Sequence, residues 1–149
     1  MSYIQNLRKY VGHDEILSVG ATILVVKENK ILLQLRSDTR TWGIPGGAIE
    51  LGETLGETAS RELKEETGLV ATKFQLLNVF SGPEFLFTYP NKDKVYTVPV
   101  LYKAIDVSGN LSMNDKESLE LKYFSLDEIP ECEPRAYHIL SWMKENKIV

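Results

Sequence analysis

Glu62, Glu65 and Glu66 crowd into the stretch from Leu55 to Thr67, which is made largely of good helix formers. On a helical wheel of about 100° per residue with Glu62 at zero, Glu66 falls near 40° and Glu65 near 300°, so they share one acidic face. Leu55, Ala59 and Leu63 fall at about 20°, 60° and 100° on the same wheel, the stripe that should meet a core, and Glu66 lies inside it. An ionised carboxylate there is costly without a cation or hydrogen bonds, and like charges this close repel. Arg61 can pair with Glu57 and Glu65 at four-residue spacing, yet on the wheel it points away from Glu62 and Glu66. A hard divalent cation, Mg or in its place Mn, binds carboxylate and carbonyl oxygens and can bridge to a substrate phosphate. Taken alone, a Glu-rich helix face is more often simply solvated, so the carboxylates need their surroundings to be interpreted.

Those surroundings begin with the elements that would carry them. Thr54 followed by Glu57 is a capping-box pattern, and Gly68 supplies a stop, which delimits one helix over Leu55 to Thr67. Upstream, Ser18 to Lys27 and Lys30 to Leu35 are rich in Val, Ile and Leu around a Glu28-Asn29 turn and predict a hairpin. Trp42 to Gly47, with Pro45 and paired glycines, predicts an irregular loop that a ligand can approach closely. Downstream, Phe74 to Phe80, Phe85 to Tyr89, Val95 to Ile105 and Lys122 to Ser125 read as strands, with turns at Asn91-Lys92-Asp93 and Ser108-Gly109-Asn110. Ser125 with Glu128 can cap a short helical turn, and Pro134 can open a last helix from Arg135 to Asn146. A mixed or antiparallel sheet flanked by helices follows, an α/β architecture in helix, sheet and helix layers.

The arrangement around the carboxylates is what gives them meaning. Gly47 is followed after five residues by Glu53 and after seven more by Arg61-Glu62-Leu63-Lys64-Glu65-Glu66-Thr67-Gly68-Leu69. At every fixed position this resembles the Nudix box: Gly, Glu, then Arg-Glu, an aliphatic, Glu-Glu, Gly and an aliphatic. The resemblance is strongest over Gly46 to Leu69 and extends loosely to most of the chain. It implies the family's α/β/α sandwich with a mixed, largely antiparallel central sheet. It also implies that Glu62, Glu65 and Glu66 ligate one or more metals, with the Gly46 carbonyl as a further ligand, and that Arg61 and Glu53 support them. The reaction it implies is attack of water on a pyrophosphate phosphorus while metal neutralises the phosphate oxygens. The base that deprotonates the water varies in the family. Here it would be Glu66, Glu65 or Glu117, and Glu117 is favoured over Glu120 by its distance from Tyr123. An ordinary exposed loop carboxylate is the competing view of Glu117.

Composition narrows the partners. The chain has 149 residues, 43% of them hydrophobic, the size and apolar content of one domain, expected over residues 1–149. A net charge of -4 disfavours polynucleotide binding and leaves a small nucleotide as the expected partner, its phosphates met by metal. The longest apolar run, Ala21 to Val26, is far too short to span a bilayer, and Met1 to Tyr10 lacks the apolar stretch of a secretory signal, so the cytosol is expected. Cys132 is the sole cysteine, which rules out an intrachain disulfide and a four-thiolate zinc site. Monomer and homodimer stay open.

Arg36, at the end of the second strand, and Arg40, before the glycine loop, can each reach a terminal phosphate, although exposed arginines near turns are usually just solvated. Trp42, Phe85, Phe87 and Tyr89 can stack on a base but are more often core; His13, His138 and Cys132 read as structural. Within the family, the place where dinucleoside polyphosphate hydrolases carry Tyr holds Phe85, Leu86 and Phe87, and Pro83 lies one position from the Pro of ADP-ribose pyrophosphatases. Neither the motif of the coenzyme A type nor the cysteine pairs of the zinc-ribbon NADH type are present. A nucleoside diphosphate sugar such as ADP-ribose and a nucleoside triphosphate, oxidised or not, both fit. The alternative from another class is a non-catalytic nucleotide sensor, against which stands the full set of box carboxylates.

Overall fold

The computed structural model describes residues 1–113 and 115–149. In chain order the elements are α1 (Tyr3–Val11), β1 (Ile16–Leu24), β2 (Val26–Lys27), β3 (Lys30–Arg36), β4 (Trp42–Gly43), β5 (Gly46–Ala48), α2 (Leu55–Thr67), β6 (Val70–Val79), β7 (Leu86–Thr88), β8 (Lys94–Ser108), β9 (Ser118–Phe124) and α3 (Pro134–Glu145), with a short turn of 3-10 helix at Pro83–Phe85 before β7. The expected mixed α/β architecture is present, with its strands divided between two sheets. One runs β5-β1-β8-β6 with β7 also on β8, and the other runs β2-β3-β4 with β9 also on β3.

The expected hairpin is confined to β2 and β3, where Val26 faces Ile31 and Lys27 faces Lys30 across Glu28 and Asn29, both at positive φ. β1 instead leaves for the other sheet. It lies parallel to β8, from Ile16 beside Val95 to Leu24 beside Lys103, and antiparallel to β5. Ala21 and Ile23 therefore point under α2, against Ala59 and Leu63, while Leu24 joins a second core with Ile31, Leu33, Leu101 and the apolar side of α3.

α2 keeps the bounds read from the sequence. Thr54 accepts from the Glu57 N–H while Glu57 accepts from the Thr54 N–H, and Gly68 closes the helix at φ 78. The glycine loop differs from expectation: Gly46 to Ala48 pairs with Thr22 to Gly20 as a short strand. Closeness explains it, since a Cβ on Gly46 would collide with the Ala21 carbonyl and one on Gly20 would come within 2.6 Å of the Gly47 carbonyl.

Other differences are smaller. β9 starts at Ser118, upstream of the expected Lys122, and Ser125 to Glu128 forms a turn, with the Asp127 N–H on Ser125 Oγ, in place of a helical turn. α1 was not anticipated at all, although Ser2 and Gln5 form a reciprocal capping box and Gly12 ends the helix. Its apolar residues Ile4, Leu7 and Val11 form a stripe at helical spacing that is only half-buried in the structure. Among the described residues, no helix is long and apolar enough to cross a membrane.

Candidate active site

A cleft of about 450 Å³ opens where the β5 end of one sheet, the N-terminal turn of α3 and the loop before β9 converge. Glu62, Glu66 and Glu117 line it, as do Gly46, Gly47 and Arg36. Glu65 and Arg40 do not: the Glu65 side chain is 54% exposed and meets Arg61 at 3.6 Å, and Arg40 is turned into the β3–β4 connection at φ 56.

Glu66 is 3% exposed, as its place inside the apolar stripe requires. One carboxylate oxygen accepts the Gly46 N–H at 2.8 Å, tying the glycine strand to the middle of the acidic face. The structure thus joins Gly46 to Glu66 through its N–H. Gly47 is the second contact of the pair, because a Cβ there would run into the Glu62 carboxylate. These close approaches are the physical reason for two consecutive glycines opposite the helix.

Arg61 departs from its wheel position. The long side chain folds back, and its Nη1 donates to Glu62 at 2.7 Å while Nε and Nη2 donate to Glu53 at 2.6 and 2.9 Å and Nη2 also reaches the Ala48 carbonyl at 3.1 Å. Glu53 in turn accepts from the Glu50 N–H and the Thr58 hydroxyl, both at 2.9 Å. This network fixes Glu62 from behind while leaving the cleft side of its carboxylate open. The Arg61 hydrogen bond holds the Glu53 carboxyl down at about 2, and the same bond raises the Arg61 guanidinium further above its ordinary value.

The cleft side behaves oppositely. Burial pushes Glu62 up to about 7, with Glu65 and Glu117 adding to it and Arg61 opposing. Burial also drives Glu66 well up, with Glu62, Glu117 and Asp115 adding and the Gly46 N–H opposing. Glu117 rises from burial and from Asp115, against the pull of Arg36. Carboxylates with raised pKa values set close together have the chemistry that hard cations take.

Asp115 belongs to this group although the sequence reading did not single it out. Carboxylate oxygens of Glu66, Asp115 and Glu117 lie within 4.8 Å of one another, an all-oxygen donor set of the kind divalent cations take. The loop is anchored on β3: the Ser37 N–H donates to the Glu117 carbonyl and its hydroxyl to the Lys116 carbonyl, both at 2.9 Å. Nothing in the local sequence announces that contact, since Ser37 lies 79 residues from Lys116.

Arginines line the same cleft. Arg36 is held by Asp38 through two hydrogen bonds of 3.0 and 2.7 Å, and Arg135, unremarked in the sequence, is held by Glu133 at 2.9 and 3.1 Å. Both guanidiniums rest on the buried Phe87 ring, 4.9 and 4.0 Å from its centre. Burial weakens the Arg36 charge, yet Asp38 outweighs it and the guanidinium stays firmly protonated. Phe85 and Phe87 are core, Trp42 packs edge-on to Phe124, and Tyr89 alone of the considered aromatics lines the cleft. His138 packs on Phe85, Cys132 is buried, and His13 pairs with Asp93.

Comparison with known proteins agrees with the box. A sequence model of the NUDIX domain matches residues 16–143. An ADP-ribose pyrophosphatase of Methanocaldococcus jannaschii is 32% identical over 117 residues, 76% of this chain and 65% of its own, so the alignment spans just under two thirds of that relative. A MutT-like protein of Streptomyces ambofaciens is 30% identical over 123 residues, covering 82% of this chain and 73% of its own. The crystal structure of a MutT NUDIX hydrolase from Burkholderia pseudomallei superposes with a TM-score of 0.72 at 25% identity, covering 85% of this chain and 97% of that one.

Proposed function

The chain belongs to the NUDIX domain family, and on that premise we propose that it is a Mg-dependent hydrolase, with Mn able to substitute, that cleaves a pyrophosphate bond in a nucleoside diphosphate derivative. One observation carries the reading: the buried Glu66, the half-buried Glu62 and the exposed Glu117 line one cleft with their pKa values driven up, a cost relieved by a cation bound with a diphosphate. Residues 1–149 act as one unit in the cytosol.

Glu62 and Glu66 would hold the metal, with Asp115, the Gly46 carbonyl and the rim residue Glu65 as further oxygen donors. When bound, the metal neutralises phosphate oxygens and acidifies water. Arg61 and Glu53 keep Glu62 in place, and Gly46 orients Glu66 through its N–H. Glu117, on a loop pinned to β3, takes the proton from the attacking water. Arg36 neutralises the outer phosphate, whereas Arg40 serves the β3–β4 turn.

The archaeal relative named as an ADP-ribose pyrophosphatase supports a nucleoside diphosphate sugar as substrate. Arg36 and Arg135 on the cleft wall favour, as second reading, a triphosphate whose extra charge they meet. Incubation with Mg and a nucleotide panel separates them: AMP with ribose 5-phosphate identifies ADP-ribose cleavage, and a monophosphate with pyrophosphate identifies a triphosphatase. Binding without any product would establish a sensor instead. Glu66→Gln keeps an acceptor for the Gly46 N–H but loses the charge, so turnover should fall by roughly two orders of magnitude or more with the circular dichroism spectrum unchanged. Wild-type rates in that variant would remove the metal assignment.

A further inference from the structure

α1 lies ahead of residue 16, where the family match begins, yet Ser2, Ile4 and Arg8 line the same cleft as the carboxylates, facing Tyr89, Asn91 and Asp93 of the β7–β8 turn. Ile4, Leu7 and Val11 are only half-buried, so apolar packing holds α1 weakly and polar tethers add to it. Arg8 Nη1 donates to the carbonyls of Gly12 and Asp14 at 3.0 and 2.6 Å, and Nη2 donates to the Lys94 carbonyl at 2.8 Å. Its Nε, buried and without a hydrogen-bond partner among the described residues, lies 3.6 Å from Asp93, whose other oxygen meets His13 at 2.6 Å. At the start of the helix the Tyr3 N–H donates to the Glu50 carboxylate at 2.8 Å. α1 therefore bridges two rims of the cleft, the segment after β5 and the β7–β8 turn.

β1 shows which end it closes. Thr22 pairs with Gly46, beside Glu66, while Ser18 pairs with Thr97, and Ser18, Gly20 and Thr22 line the cleft in succession. The four steps of strand from Ser18 to Thr22 span about 13 Å. The α1 end is thus removed from the carboxylates by the reach of a group attached to the diphosphate. Ile4 and Tyr89 offer apolar and aromatic surface there, and the Glu50 carboxylate disfavours another phosphate.

We propose that α1 is a clamp across the nucleoside end of the cleft, with Arg8 as its positioning residue. This rests on the reading of the site as one for nucleotides. Arg8 itself touches no substrate; it sets the wall against which the nucleoside packs.

The test compares wild type with Arg8→Met and Arg8→Lys, using ADP-ribose and GTP, each with Mg, in turnover and in equilibrium binding at low temperature. Arg8→Met should raise KM for the cleaved nucleotide about tenfold with kcat within about twofold, because ground-state and transition-state binding of the nucleoside fall together. Amides of α1 should exchange faster, and Arg8→Lys should recover part of the KM. A wild type that binds but does not cleave ends the hydrolase reading, while a dissociation constant weakened by Arg8→Met still upholds the clamp. Released α1 amides with unchanged KM and binding would overturn the clamp, as would a fall in kcat alone. A wild type that neither binds nor cleaves either nucleotide overturns both. Should Arg8→Met fail to fold, Glu50→Ala cuts the tether at the other end of α1 and carries the same expectation.

Discussion

Gly47 has no side chain because the Glu62 carboxylate occupies the space a Cβ would take. Gly47→Ala should therefore fold, since the obstructed atoms are the end of a flexible side chain, but push Glu62 out of line. The expected result is at least a tenfold loss in apparent Mg affinity, read by titrating activity with Mg, with little change in thermal midpoint. Normal Mg dependence would show that Glu62 can relocate at no cost. At this scale much was legible in the sequence: Glu53, Arg61, Glu62 and Glu66 follow from spacing because one helix and its N-terminal approach carry them all. Asp115, Glu133 and Arg135 were not, because their positions depend on β9 and α3 folding back across β3. Arg61 shows a further limit, since a wheel gives the direction of Cβ and a long side chain can reverse it.

α2 could be delimited to the residue because its signals are local: a capping box at one end and a glycine in the left-handed region at the other. β1 could not be assigned to its sheet, because its partners β5 and β8 are distant in sequence and a run of Val and Ile does not name them. α1 had a legible capping box and an Ile4-Leu7-Val11 stripe, but at nine residues it is too short for local signals to compel a helix. The element that binds α2 to its N-terminal approach is the Arg61–Glu53 pair, and its stability should depend on acid. The Glu53 carboxyl is lowered from 4.5 to about 2, so its contribution is complete above the unfolded value and is lost as pH falls from 4.5 through about 2. Glu53→Gln should flatten that part of the curve of urea midpoint against pH; an unaltered acid limb would show that the pair adds nothing.

For the molecule as a whole, the cleft brings together a cluster of carboxylates with raised pKa values and two arginines already paired to carboxylates. With Glu62 raised from 4.5 to about 7, the folded protein without metal holds a proton that the unfolded chain gives up. Its stability should thus decline as pH rises from 4.5 to about 7. On the proposed reading Mg replaces the proton as the source of positive charge, so the rise in melting temperature on adding Mg should be larger at pH 8 than at pH 5. Equal shifts at both values would mean that the cation binds elsewhere. Such a readout depends on the fold and the acidic wall together, and needs no substrate.

Ser2 stands on the edge of the cleft, so whatever is joined to the chain ahead of it emerges beside the entrance rather than on a remote face. A purification tag or fusion partner placed there crowds the mouth and competes for room with incoming ligand. The same addition after Val149 follows α3 and its turn, behind the Met143 carbonyl that receives the Ile148 N–H, and leaves the entrance clear.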